Sequence, residues 1–153
     1  MELTFDQGEL NHADVQDLLQ FHVAAMRGQS PPEACHVLPA SGLADPSITF
    51  FTARCDGELV GVGALKANGD GTGELKSMRV APSFAGRGAG RAMLETLIGE
   101  ARKRGYRTLL LETGRSDEFA AASRLYDRAG FTERGPFSDY QPTDFTRFMQ
   151  LVL

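Results

Sequence analysis

A chain of 153 residues, 42% hydrophobic and 24% charged, has the size and balance of one packed domain rather than a disordered segment. A formal net charge of -4 excludes nucleic acid as the main partner and favours a cationic acceptor such as an amine. Apolar runs such as Leu109-Leu110-Leu111 are far too short to span a bilayer, and the segment from Met1 to Thr4 lacks the basic and apolar regions of a secretory leader. The expected compartment is therefore the cytoplasm, with no membrane partner. There Cys35 and Cys55 would be free thiols, and three histidines without paired ligand spacing argue against a metal site.

In chain order, residues 2–5 suit a short strand. Asn11 is placed to cap a helix whose apolar face carries Val15, Leu18, Leu19, His22, Val23 and Met26. From Gly28 to Pro46, Ser30-Pro31-Pro32 and Leu38-Pro39 break regular structure. A loop of this length inside a compact domain is often functional. Residues 48–54, 58–66 and 74–80 read as an antiparallel meander turned at Asp56-Gly57 and at Asn68 to Gly71. A helix follows from near Ala89, buried through Leu94, Leu97, Ile98 and Ala101 and stopped at Gly105. Residues 107–113 form a buried strand. A helix from about Asp117 buries Ala122, Leu125, Tyr126 and Ala129 and ends at Gly130, before strands at 131–133 and 147–153. The order β-α-β-β-β-α-β-α-β-β predicts one domain over 1–153, with a mixed, mostly antiparallel sheet flanked by helices.

Residues 74–94, ELKSMRVAPSFAGRGAGRAML, combine a strand, a loop with Gly86, Gly88 and Gly90, and a helix start. Glycines let backbone N–H groups approach an anion, the helix start adds aligned dipoles, and Arg87 and Arg91 add positive charge. A phosphate or pyrophosphate is the expected guest. A dinucleotide fingerprint fits poorly, because Arg91 and Met93 stand where the third glycine would be needed. A dinucleotide-dependent oxidoreductase remains an alternative reading.

The strand, the loop and the segment Leu125-Tyr-Asp-Arg-Ala-Gly-Phe131 resemble the GNAT superfamily of N-acetyltransferases over nearly the whole chain. Met26 with Ser30-Pro31-Pro32-Glu33, Leu111-Glu112-Thr113-Gly114, Gly135-Pro136-Phe137 and Phe148-Met149 are similar to its bacterial YsnE-like branch. The family loop Q/R-x-x-G-x-G/A aligns with Ala85-Gly86-Arg87-Gly88-Ala89-Gly90, with alanine at the Q/R position. That departure removes one side-chain contact, keeps the backbone cradle, and leaves a non-catalytic acyl-CoA sensor as an alternative reading.

The resemblance implies acetyl-CoA as co-substrate, no metal, direct transfer to a small-molecule or peptide amine, and it leaves a homodimer open. The backbone of Met78, Arg79 and Val80 would pair with the pantetheine arm, and Gly86 to Arg91 would hold the pyrophosphate. Phe119 and Ser123 would line the cofactor channel. Glu74 or Glu112 would be the general base, and Tyr126 the acid that protonates the departing thiolate. His22, Met26 and Tyr140 would face the acceptor. Strand alternation further predicts that Glu74, Lys76 and Met78 share one face.

Overall fold

The computed structural model describes residues 1–153. Its regular elements are β1 (Thr4–Gln7), α1 (Ala13–Gln29), β2 (Ile48–Cys55), β3 (Glu58–Ala67), β4 (Thr72–Val80), α2 (Ala89–Lys103), β5 (Thr108–Gly114), α3 (Ala120–Ala129), β6 (Thr132–Arg134) and β7 (Thr146–Val152). The expected element order is observed. One correction falls at the start of α1, where His12 rather than Asn11 is the N-cap and no side chain caps the helix. The α1–β2 loop contains two single-turn 3-10 segments, Pro32–Ala34 and Gly42–Ala44. No helix is long and apolar enough to cross a membrane.

The seven strands form one sheet in the order β1-β2-β3-β4-β5-β7-β6. All neighbours are antiparallel except β4 and β5, which the α2 crossover makes parallel. On one face, Leu65, Leu75, Leu109, Leu111 and Met149 pack with Met93, Leu94, Leu97, Ile98 and Ala101 of α2. Each fully buried large aliphatic side chain here contributes about 1.5–3 kcal/mol. A Cβ at Gly63 would come within 2.8 Å of Leu97 Cδ1, so this glycine lets α2 seat directly on β3. On the other face Val15, Leu18 and Leu19 of α1 pack with Phe50, Val62 and Ala64.

Two features of β4 create the site. Its pairing with β5 covers only Thr72 to Glu74 against Thr108 to Leu110, and beyond that the strands part. A bulge also interrupts its pairing with β3, where Val62 opposes Arg79 and Ala64 opposes Lys76. Gly63 alone thus faces Ser77 and Met78, and Ser77 adopts φ 53°, in the left-handed region. The extra residue inverts the alternation. Met78 and Val80 therefore pack with the α2-side core, whereas Arg79 turns toward α1. The expectation that Met78 shares a face with Glu74 and Lys76 is overturned by this bulge.

Candidate active site

Where β4 and β5 diverge, a cavity of ≈ 180 Å³ opens between Leu75 to Arg79 on β4 and Leu111 to Gly114 on β5. His22 and Met26 of α1, Cys35 and His36 of the following loop, and Phe119 and Tyr126 complete its wall. The cavity thus unites residues from five separate segments of the chain.

Glu112 stands on β5 with His36 Nδ1 2.8 Å from its Oε2. Burial pushes the Glu112 carboxyl above the usual carboxylate range, and the His36 contact partly opposes that shift. His36 belongs to no motif in the sequence. The only sequence signal for it is its place in the long proline-broken loop.

Glu74 is 1% exposed, so it is not the solvated hairpin charge its position near a turn would suggest. Its Oε2 accepts a hydrogen bond of 2.8 Å from the Tyr140 hydroxyl and lies 3.3 Å from Lys76 Nζ. Lys76 Nζ in turn donates to Tyr140 Oη at 2.8 Å. Burial and the neighbouring carboxylates hold the Tyr140 phenol well above its ordinary value, so it stays protonated and donates. Neither Glu74 nor Tyr140 lines the cavity, but the Tyr140 ring lies 4.6 Å from that of His36. The Glu74 group therefore braces the His36–Glu112 pair from one side.

Tyr126 projects from α3, with its ring edge-on to Phe131 at 5.8 Å between centroids. Desolvation pushes its phenol up to about 12, against a weaker opposing effect of Arg79, so it is a proton donor at neutral pH. His22 is 5% exposed, and burial together with the Arg79 charge lowers it to about 4, which keeps the imidazole neutral. Arg79 Nε donates to His22 Nδ1 at 2.9 Å, and Arg79 Nη2 contacts Met26 Sδ at 3.6 Å.

A model of the acetyltransferase (GNAT) family matches residues 15–131. The chain belongs to the GNAT acetyltransferase family. It is 39% identical to the uncharacterized N-acetyltransferase YedL of Escherichia coli K12, over 98% of this chain and 94% of that protein. It is 40% identical to the uncharacterized N-acetyltransferase YsnE of Bacillus subtilis 168, over 92% and 93%. A Klebsiella pneumoniae structure provisionally assigned as an acyl-CoA N-acyltransferase superposes with a TM-score of 0.79 and 29% identity, covering 99% of this chain and 97% of that one. This GNAT protein is an N-acetyltransferase.

The residues beyond β4 fit an acyl-CoA. Gly86 and Gly88 adopt φ +73° and +83°, and a Cβ at either would meet nothing within 4 Å. They leave the backbone open to an approaching group at the N-terminus of α2, whose N-cap is Gly88. Arg87 lies beside it, its guanidinium 5.0 Å from the Phe84 ring centroid, while Arg91 is tied to Glu95. Ala89 is buried under the helix start. Of the other expected cofactor residues, Phe119 lines the cavity edge-on to Phe145, whereas Ser123 and Val80 are not part of its wall.

Proposed function

We propose that this protein transfers an acetyl group from acetyl-CoA to a primary amine in one direct step. The observation that carries the reading is the parting of β4 and β5 between a glycine cradle on one side and the His36–Glu112 pair on the other. The parted edge of β4 offers unpaired backbone groups to an extended amide-bearing arm, and Gly86 to Gly90 offer backbone N–H groups to its pyrophosphate. Acetyl-CoA supplies an activated thioester carbonyl.

The chain's residues then have separable tasks. Glu112, raised by burial yet held ready by His36, takes the proton of the incoming ammonium. The amine nitrogen forms a bond to the carbonyl carbon as the carbon–sulfur bond breaks. A backbone N–H at the bulge near Met78 supports the charge growing on the carbonyl oxygen. Tyr126 gives its phenolic proton to the departing thiolate and regains one as the acylated nitrogen sheds its remaining excess proton. Of the two carboxylates, Glu112 is favoured as base because it lines the cavity, while Glu74 is committed to Tyr140 and Lys76. Glu74 is a positioning residue.

Thermal denaturation with acetyl-CoA, NADH and ATP tests the cofactor. At about a hundred times its Kd, acetyl-CoA should stabilise the protein by about 2.7 kcal/mol, a shift of about 5–10 °C. No shift with acetyl-CoA, or a shift with NADH alone, would overturn the proposal.

A further inference from the structure

Arg79 is the cation of the cavity wall that no carboxylate answers. Arg54 pairs with Glu9 and Asp14, Arg147 with Asp127 and Glu133, and Lys76 with Glu74, but Arg79 takes part in no ion pair. Its neighbours are neutral: the imidazole of His22, the thioether of Met26, and the Phe21 ring 5.7 Å from its Cζ. Desolvation lowers its affinity for its own proton, and only the Tyr126 phenol, not a carboxylate, partly offsets this. A half-buried guanidinium without a counter-ion is costly unless something else supplies one.

The wiring leaves the guanidinium ready for a guest. Nε is spent on His22 and one Nη2 proton points to the Met26 sulfur, while Nη1 has no acceptor. The Ser77 bulge turns this side chain toward α1, away from the α2 side where the glycine cradle lies. Arg79 also directly follows Met78, the residue nearest the proposed acyl position, so consecutive Cα atoms separate them by only about 3.8 Å. The Glu112 carboxylate lines the same cavity.

Lys76 also lines the cavity but is paired with Glu74, and Glu118 is exposed, so Arg79 is its unpaired cation and Glu112 its part-buried carboxylate. That pattern suits a zwitterion with its ammonium toward Glu112 and a single carboxylate on Arg79. A dianionic phosphate would meet only one unpaired cation and would face Glu112. The cavity volume of ≈ 180 Å³ is also below the roughly 300 Å³ at which drug-sized sites begin, which favours a compact guest. Building on the acetyltransfer proposal, we infer that Arg79 anchors the acceptor's carboxylate and that the acceptor is a free amino acid whose amine and carboxylate are close neighbours.

Calorimetric titration of the purified protein, with and without saturating CoA, tests this separately from the cofactor reading. The probes are the common amino acids, each beside its amide and its decarboxylated amine. At least one amino acid should bind, with its amide and amine bound about 100-fold more weakly, the scale of losing a charge-assisted pair of hydrogen bonds. Arg79→Met should impose the same loss on the amino acid. Arg79→Lys, which keeps charge but not the planar fork, should fall between. Because the matched ligands are compared on the unaltered protein, a misfolded variant would not hide the result. Equal binding of acid and amide, or no amino acid binding in either state, would overturn the inference even if CoA binds. A loss of CoA affinity in Arg79→Met as large as the loss of amino-acid affinity would also overturn it, by assigning the guanidinium to the cofactor. Failure to bind CoA, with amino-acid binding intact, would instead remove the acetyltransfer proposal alone.

Discussion

His36 Nδ1 meets Glu112 Oε2 at 2.8 Å, joining the proline-broken loop after α1 to the open end of β5 across 76 positions of sequence. The contact sets the protonation of the group proposed as base. Burial raises the Glu112 carboxyl, and hydrogen bonding to His36 is the largest effect pulling it back down. A base must be ionised, so activity should rise with pH through that raised value. Glu112→Gln should lower kcat by about 100-fold or more and abolish the acidic limb of the pH–rate profile. His36→Ala removes the opposing contact and should move the limb to higher pH. An unmoved limb in both variants would take Glu112 out of the proton path.

Tyr126 carries the second proton. Its phenol, pushed up to about 12, is protonated throughout the neutral range and has the reach of the cavity. Tyr126→Phe keeps the ring that packs on Phe131 and removes only the hydroxyl. We expect kcat to fall by about 100-fold with little change in the KM for acetyl-CoA, measured by thiol release. An unchanged kcat would leave the thiolate to be protonated by solvent.

The residues of the site differ in how visible they are in the sequence. Tyr126 belongs to a local pattern, Leu125 to Phe131, and Glu112 ends an apolar strand, so both are legible from neighbours along the chain. The glycine loop and the order of elements are legible for the same reason. His36 gains meaning only from a partner 76 positions away, and Glu74 from Tyr140, 66 positions away. The Ser77 bulge is harder still to see. Serine is not a residue that advertises positive φ, and the extra residue exists only relative to β3, so simple alternation misplaces Met78 and Arg79.

Glu74 and Lys76, 1% and 8% exposed, should matter more to folding than to chemistry. Each is tolerated because the other, with Tyr140, satisfies it, although Glu74 Oε1 still lacks a partner. Lys76→Met alone strands a buried carboxylate and should cost about 3–5 kcal/mol in urea denaturation. Lys76→Met combined with Glu74→Gln should recover much of that loss, since the double change removes both charges. Equal destabilisation by the single and double variants would mean that packing, not charge, holds this part of β4.

His22 makes stability depend on pH in a defined window. Burial first, and the Arg79 charge second, lower its pKa from 6.5 to about 4 in the folded protein. Between those values the unfolded chain binds a proton that the folded protein refuses. Stability is therefore fully present above pH 6.5 and falls as pH drops toward 4. For a side chain this buried, the linkage amounts to about 3 kcal/mol between pH 7 and pH 4. Carboxylates titrate over part of the same range, so the contribution is read as a difference between variants. His22→Asn keeps an acceptor for Arg79 Nε and cannot be protonated. Its stability should fall less than that of the unaltered protein over this window, by about the same 3 kcal/mol. Parallel pH profiles for the two proteins would mean that His22 accepts a proton without cost, which would require Arg79 to leave its side and the α1–β4 contact to open.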